Sequence, residues 1–275
     1  KLLLIGQSNG VFSLYKMPSF NLIHSLSITD SNITHCVIDK TGNYLGFASM
    51  ELGQLFVWEW KSETYILKQQ GHYFSINSIS FSNDGNLIAT GGDDGKLKIW
   101  NTLNGFCFIT FHDNIAPISC VKFAKNNILV VTASLDGTVR VYDLIRYKNF
   151  RTMKSNETSR FISLEVDNSG EIVIAGCDEP FEIYIFSIRT GKVLDILYGH
   201  EGPINCMSFN NNNNILVTGS WDKTLRIWDI YNNNNATEII DINTEVLDVS
   251  FKPNSNIVAI CTLNAQIQLY NVNNG

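Results

Sequence analysis

The stretch Asp94–Trp100, which reads DGKLKIW, decides the fold because the chain repeats it without a gap. The repeats are Asp136–Tyr142, DGTVRVY, and Asp222–Trp228, DKTLRIW. Each copy begins with turn residues, alternates polar with apolar side chains, and ends on an aromatic residue. A period of two is typical of a β-strand with one buried face. The Asp-Gly pair indicates a tight hairpin turn, because glycine tolerates positive φ.

The closing aromatic residue belongs to a longer series with nearly constant spacing. Seven such residues follow one another at intervals of 43, 42, 42, 44, 42 and 42 residues: Tyr15, Trp58, Trp100, Tyr142, Phe186, Trp228 and Tyr270. A period of about 40 to 45 residues with four strands per unit is typical of WD repeats. A single small sheet cannot bury both of its faces, whereas radially packed sheets can.

We therefore predict an all-β fold, a WD40-type β-propeller with seven blades of four-stranded antiparallel sheets. The first and last blades are expected to be incomplete. We also expect the chain to be part of a longer protein, because it begins inside a predicted strand, Leu2–Ile5. A boundary between two propellers near Ser31 is an alternative. The predicted propeller region is 1–275, with repeat units at approximately 1–30, 31–72, 73–113, 114–156, 157–200, 201–243 and 244–275.

A set of polar side chains recurs at one register of the repeat. Histidine, threonine, aspartate and tryptophan can form a closed set of hydrogen bonds, because the hydroxyl can bond both the imidazole and the indole N–H. Because the set recurs in separate repeats, we interpret it as a structural lock within each blade and not as a hydrolase centre. Its members are His72, Thr90, Asp94 and Trp100 in one repeat, His200, Thr218, Asp222 and Trp228 in another, and Thr132, Asp136 and Tyr142 in a third, where Asn114 replaces the histidine. In three other repeats the aspartate position holds Asn9, Leu52 and Asn264.

Composition and charge exclude several classes of protein. The chain of 275 residues is 44% hydrophobic and 17% charged, which is ordinary for a globular protein. A net charge of -6 argues against a dedicated nucleic-acid-binding domain. No apolar run approaches the roughly 18 residues that span a membrane.

The cysteines and glycines give no sign of catalysis. The six cysteines form no C-x-x-C pair, and Cys36, Cys120 and Cys206 stand 84 and 86 residues apart in short apolar segments. We predict buried, reduced thiols and a reducing compartment. The segment Gly91–Gly95 is glycine-rich but is predicted to be a hairpin turn, so it offers no phosphate cradle. We find no metal-ligand, phosphate-binding or nucleophile motif, and we predict no enzyme activity, no cofactor, no metal, no membrane association and no small-molecule substrate.

One stretch is strongly basic and contains aromatic residues. Lysine and arginine neutralise phosphates, and aromatic rings can stack on bases. Three interpretations stay open: a solvated outer loop with Phe150 turned inward, a contact with a partner protein, and a contact with RNA. The candidate contact residues are Arg140, Arg146, Tyr147, Lys148, Arg151, Lys154 and Arg160, and the only acids among them are Asp143 and Glu157.

Three segments between the repeats go beyond a general WD pattern. They are Lys61–His72, KSETYILKQQGH, Ser134–Thr152, SLDGTVRVYDLIRYKNFRT, and Gly199–Ile204, GHEGPI. Together they resemble the periodic tryptophan protein 2 family, and the resemblance covers nearly the whole chain. The asparagine runs Asn210–Asn214 and Asn232–Asn235 depart from the family pattern, and we interpret both as solvated loop insertions.

The resemblance implies a function that the residues alone do not specify. Members of this family have tandem propellers and a helical C-terminal domain, and this chain would be a central fragment. They are nucleolar scaffold subunits of the small-subunit processome, where a small nucleolar RNP guides pre-rRNA cleavage and small-subunit rRNA matures. The implied partners are other processome proteins, with indirect or weak direct contact to pre-rRNA or snoRNA left open. The alternative is a WD scaffold of another complex, such as a ubiquitin-ligase substrate receptor or a vesicle coat.

Overall fold

In the computed structural model, all regular secondary structure among the described residues is β-strand. The structure describes residues 1–49, 53–124, 127–155, 159–167, 169–210, 214–230, 236–253 and 255–272. Within these ranges, no helix is long and apolar enough to span a membrane. Leu52, Glu157 and most of the two asparagine runs lie outside the described residues.

The described strands form seven antiparallel sheets, in each of which strands adjacent in sequence are paired. The first sheet has β1 (Leu2–Gly6), β2 (Val11–Lys16) and β3 (Asn21–Ser27). The second has β4 (Ile33–Ile38), β5 (Tyr44–Ser49), β6 (Gln54–Glu59) and β7 (Thr64–Gln70). The third has β8 (Ile76–Phe81), β9 (Leu87–Gly92), β10 (Leu97–Asn101) and β11 (Cys107–Phe111). The fourth has β12 (Ile118–Phe123), β13 (Leu129–Ser134), β14 (Thr138–Asp143) and β15 (Lys148–Lys154).

The last three sheets have the same strand order. The fifth has β16 (Phe161–Val166), β17 (Ile172–Cys177), β18 (Ile183–Ser187) and β19 (Val193–Leu197). The sixth has β20 (Cys206–Asn210), β21 (Ile215–Gly219), β22 (Thr224–Asp229) and β23 (Ala236–Asp241), and the seventh has β24 (Val246–Phe251), β25 (Ile257–Thr262) and β26 (Ile267–Asn271). The fold is a β-propeller with seven blades, of which the first and last have three strands, and the predicted fold class is confirmed.

The chain divides into two compact units, and in each of them consecutive blades pack face to face. The first unit comprises 1–134 and 142–149, and the second comprises 135–141 and 150–275. In the first unit, Leu97 and Ile99 are fully buried in a cluster with Ile118 and Val121 of the next sheet. In the second, Leu225 and Ile227 join a cluster with residues of β24 and β25. These apolar side chains are the ones that alternate along the repeated stretches.

Two glycines set how closely neighbouring blades approach. A Cβ atom added to Gly91 would lie 2.5 Å from Cγ2 of Ile118, and one added to Gly219 would lie 2.5 Å from Cγ1 of Val246. A real Cβ atom does not tolerate such distances. The absence of a side chain in the second strand of one blade therefore makes room for an aliphatic side chain from the first strand of the next.

The turn that begins each repeated stretch has a left-handed residue. Gly95 and Gly137 have φ values of 70° and 76°, and in the third copy Lys223 takes the same place with φ of 68°. Glycine adopts this conformation without steric cost, whereas a residue with a Cβ atom does not. The Asp-Gly pair therefore matches the backbone that the turn requires.

In the third blade, four polar side chains form a closed set of hydrogen bonds. Nδ1 of His72 lies 2.8 Å from Oδ1 of Asp94, and Nε2 lies 2.8 Å from Oγ1 of Thr90. The indole N–H of Trp100 donates to the same hydroxyl oxygen at 3.0 Å. A neutral imidazole satisfies every group, because Nδ1–H donates to the carboxylate and Nε2 accepts from the hydroxyl.

The sixth blade repeats this arrangement. Nδ1 of His200 lies 2.7 Å from Oδ2 of Asp222, and Nε2 lies 2.7 Å from Oγ1 of Thr218. The indole N–H of Trp228 donates to Thr218 at 2.9 Å. Buried polar networks of this kind stabilise a structure when every member has its partner.

The other repeats have different hydrogen bonds at these positions. Nδ2 of Asn114 donates to the Tyr142 hydroxyl at 3.2 Å, whereas the buried Oγ1 of Thr132 has no hydrogen-bond partner among the described residues. The Asn9 side chain accepts from the N–H of Val11 at 3.1 Å, and Nδ2 of Asn264 donates to Gln266 at 3.2 Å.

The network holds its carboxyl groups in the ionised form. Burial alone would raise the pKa of Asp94, but hydrogen bonds from His72 and from the backbone N–H groups of Tyr73 and Lys96 lower it to about 2. Burial likewise opposes ionisation of Asp222, and hydrogen bonds from His200 and Thr224 hold its pKa well below the ordinary value. Burial lowers the pKa of His200, although Asp222 opposes the shift. At neutral pH a neutral imidazole thus faces a carboxylate.

We expect His200→Ala to lower the free energy of unfolding by about 1 to 3 kcal/mol, because the buried side chains of Asp222 and Thr218 lose their partner. Urea unfolding of the wild type and the variant measures the difference. His112→Ala is the control, since His112 is exposed. If the two variants unfold at the same urea concentration, the network does not stabilise the blade.

We also expect stability to fall on acidification in two pH windows. The folded-state pKa of His200 lies below its ordinary 6.5, so its contribution is fully present above pH 6.5 and declines as the pH falls through that value. The contribution of Asp94 is lost further down, as the pH falls from 3.8 to about 2.

Thermal unfolding at about pH 7.5 and about pH 5.5 tests the first window, since an ordinary histidine titrates between these values. His200→Gln carries no imidazole at this position, and its midpoint should fall less between the two pH values than that of the wild type. An equal fall in both proteins would show that His200 does not cause the pH dependence.

Candidate functional site

The predicted contact residues lie along the fourth blade and the loop that comes after it. Arg146, Tyr147, Lys148, Arg151, Lys154 and Arg160 are exposed. They fall into two groups, because the first three belong to the first compact unit and the last three to the second.

Arg140 does not belong to this surface. It is only 7% exposed, and its Nη1 atom lies 3.0 Å from Oδ2 of Asp136. The alternating pattern places Arg140 on the polar face of β14, and the carboxylate four residues earlier in the chain holds it there. The structure therefore corrects the prediction that Arg140 is available to a partner.

In the first unit, a fixed turn between β14 and β15 presents Arg146, Tyr147 and Lys148. Oδ1 of Asp143 accepts from the backbone N–H groups of Ile145 at 2.8 Å and Arg146 at 3.1 Å. Oδ2 of Asp143 lies 3.8 Å from Nε of Arg146, whose side chain remains 68% exposed. The ring of Tyr147 meets that of Phe108 edge to face, with centroids 6.4 Å apart. The turn is thus ordered by its own carboxylate, and its cations face solvent.

In the second unit, Arg151 is bound to its own fold. Its Nη2 atom donates to the backbone carbonyl of Arg189 at 3.0 Å, and its guanidinium lies over the ring of Phe150 at 5.7 Å. Phe150 is half-buried. Arg151 therefore holds β15 against the turn between β18 and β19.

Lys154 and Arg160 line an open cleft of about 430 Å³ in the second unit. Nη1 of Arg160 lies 3.7 Å from the Asp178 carboxylate. The remaining lining residues are Leu135, Asp136, Gly137, Ser155 and Ser159. Such a mixed and open lining suits a polar or anionic group of a macromolecule better than an enclosed small molecule.

All six cysteines lie in strands, but of the three predicted to be buried only Cys206 is, whereas Cys36 and Cys120 are half-buried. Cys36, Cys120 and Cys206 occupy β4, β12 and β20, the first strand of the second, fourth and sixth sheets, and all six thiols are free. Burial raises the pKa of Cys36 and of Cys206, which keeps both thiols protonated and unreactive. Within the described ranges, no group of three or more His, Cys, Asp or Glu side chains could hold a metal ion.

Sequence reasoning missed two exposed aromatic residues, Phe106 and Phe108. The signal was present in the segment 106–111, FCFITF, where aromatic residues alternate with further apolar ones. In β11, the fourth strand of its blade, the described residues leave Phe108 exposed on one face.

We expect Asp136→Ala to lower the free energy of unfolding by about 3 kcal/mol, because the buried guanidinium of Arg140 loses its carboxylate. Both side chains of this pair are 8% exposed. Asp178→Ala is the matched control, since it breaks an exposed ion pair that contributes about 0 to 1 kcal/mol. Chemical denaturation compares the two, and equal effects would show that burial does not strengthen the dependence of Arg140 on Asp136.

A protein-family model described as the IFT122 first beta-propeller matches residues 32–275. Periodic tryptophan protein 2 homolog of Mus musculus is 48% identical over 273 residues, 99% of this chain and 30% of the relative. Periodic tryptophan protein 2 of Saccharomyces cerevisiae is 48% identical over 272 residues, 99% of this chain and 30% of the relative. The protein of that name from Arabidopsis thaliana is 44% identical over 274 residues, 100% of this chain and 30% of the relative.

These matches confirm the resemblance that the segments between the repeats predict. The chain spans about 30% of the length of the curated relatives it matches. It belongs to the β-propeller family that the IFT122 first beta-propeller model describes, and over nearly its whole length it is similar to the proteins named periodic tryptophan protein 2.

Proposed function

We propose that this chain is part of a non-catalytic interaction scaffold in ribosome biogenesis. In this proposal the protein is a subunit of the small-subunit processome and supports pre-rRNA processing and small-subunit rRNA maturation in the nucleolus. Its partners are other processome proteins. Contact with pre-rRNA or snoRNA is indirect or weak.

The observation that carries the proposal is the extent of the similarity to periodic tryptophan protein 2. Identity of 44 to 48% holds over 99 to 100% of this chain in an animal, a fungus and a plant. The matched range covers the segments between the repeats as well as the strands. The fold alone supports only the broader proposal that the chain is an interaction scaffold, because propellers carry many functions.

The physical character of the surface agrees with a scaffold. Packed sheets hold the turns in fixed positions, and rigid frames of this kind commonly present loops to partners. The exposed cations Arg146, Lys148, Lys154 and Arg160 give the acidic chain local positive charge. We propose these residues as contacts for a protein partner or for RNA, with Tyr147 beside them.

The second candidate is a WD scaffold of another complex, such as a ubiquitin-ligase substrate receptor or a vesicle coat. The family match favours it only at the level of the fold, since the matching model describes a propeller of IFT122. The two candidates differ in the proteins that co-purify with the full-length protein.

Affinity purification of the tagged full-length protein from cells, with mass spectrometry and RNA sequencing, tests the proposal. We expect small-subunit processome proteins and small-subunit pre-rRNA in the eluate, and we expect the proteins to persist after RNase treatment. A parallel purification of an unrelated tagged propeller is the control. A stable complex that contains ligase or coat subunits and no ribosome-assembly proteins would replace the proposal with the second candidate.

A further inference from the structure

Five apolar side chains are exposed at one end of the third and fourth blades. They lie in β11 and in the two turns between the third and fourth strands of these sheets. We call them the outer apolar surface: Leu103 is 68% exposed, Phe106 70%, Phe108 44%, Ile145 67% and Tyr147 58%.

A contact between two rings joins the third and fourth blades within the first unit. The rings of Phe108 in β11 and Tyr147 in the β14–β15 turn meet edge to face, with an interplanar angle of 76°. Leu144, which precedes Ile145, and Phe111 of β11 are buried in one cluster. The exposed apolar residues of the two blades therefore stand on strands and turns that are packed against each other.

The fold does not require apolar residues in these turns. The equivalent turn of the second blade contains Lys61, Ser62 and Glu63, and that of the fifth blade contains Thr190 and Gly191. These blades form the same strands with polar residues at the exposed positions of the turns, where the apolar Trp60 and Ile188 are half-buried and buried. Exposed apolar groups of this kind, rimmed by charge, are typical of interaction sites.

The backbone of the turn fixes how Tyr147 is presented. Tyr147 is the fourth residue after β14, and its φ is 53°. The residues at the same place in the other blades are also left-handed: Phe20, Glu63, Gly105 and Gly191 have φ values of 53°, 56°, 72° and 73°. The turn geometry is therefore common to these blades, and replacing Tyr147 by glycine is compatible with it.

The charges beside the surface indicate the chemistry of its partner. Arg146 and Lys148 flank Tyr147 and are exposed. The Asp143 carboxylate accepts from backbone N–H groups and lies 3.8 Å from Arg146, whose side chain remains 68% exposed. Aromatic residues together with arginine are enriched at protein interfaces. Two cations beside five apolar side chains suit carboxylates within an apolar segment better than a phosphate backbone.

We infer that the outer apolar surface binds a segment of a partner protein in which aliphatic or aromatic side chains stand beside aspartate or glutamate. The apolar side chains of the partner cover Phe106, Phe108 and Tyr147, and its carboxylates pair with Arg146 and Lys148. This inference rests on the scaffold function proposed above and assigns a surface and a class of partner to it.

Site-specific photo-crosslinking in the full-length protein in cells tests the inference. A photoreactive phenylalanine analogue replaces Phe106, and in a separate control it replaces Phe20, which is 61% exposed in the first blade. We expect position 106 to crosslink to a protein segment that contains apolar residues beside Asp or Glu, and position 20 not to reach that segment. No protein crosslink from position 106, or a crosslink to RNA, would overturn the inference.

Two variants then test the contribution of single side chains to the same crosslink. Tyr147→Gly should reduce its yield about tenfold, as expected for an interface aromatic residue, and should not lower the unfolding temperature. Phe20→Gly is the matched control, because Phe20 has the same φ of 53°. Lys148→Glu should reduce the yield by repelling the carboxylates of the partner.

The outcomes separate this inference from the proposed function. An unchanged crosslink yield in both Tyr147→Gly and Lys148→Glu overturns the assignment of the surface, even if ribosome-assembly proteins still co-purify with the wild type. Failure of those proteins to co-purify with the wild type overturns the proposed function instead. If the crosslinked partner at position 106 nevertheless has the expected composition, the surface assignment stands.

Discussion

Each blade of this protein can bury its apolar faces only against another blade. The strands are five to seven residues long, so one sheet is too small to enclose a core of its own. Leu97 and Ile99 are fully buried because the next sheet presents Ile118 and Val121 to them. Every other feature of the structure depends on this constraint, since turns and polar groups can be placed only on sheets that are already packed.

The hydrogen-bonded sets add stability to blades that are already packed against each other. A histidine that precedes the first strand reaches an aspartate in a turn and a threonine inside the second strand, so three parts of one blade are tied together. The cost of burying these polar groups is offset only while all are paired. The fourth blade forms without the complete set, because its buried Thr132 hydroxyl has no hydrogen-bond partner within the described part of the chain.

Periodic features of the fold are predictable from the sequence, whereas features that depend on spatial neighbours are less so. The spacing of the aromatic residues and the alternation after Asp94, Asp136 and Asp222 are local patterns, and they suffice for the fold class and for the strands. The burial of Arg140 depends on a carboxylate that turns back toward it, and alternation alone does not reveal that contact. The exposure of Phe106 and Phe108 depends on the absence of a covering element among the described residues, which no local pattern encodes. The left-handed backbone of Tyr147 is suggested only by the glycines at the same place in the third and fifth blades, and Phe20 and Glu63 share it without any such signal.

The glycines that let neighbouring blades approach have an evolutionary consequence. Gly91 and Gly219 each leave a space in the second strand of one blade, and the first strand of the next blade fills it with Ile118 or Val246. The sixth blade has both halves of this contact, because its Ile204 fills the space at Gly176 and its own Gly219 leaves the space that Val246 fills. A duplicated repeat would pack against its neighbours through the same contact between a glycine and an aliphatic side chain. A gene for such a protein can therefore gain or lose whole repeats without a new interface having to evolve.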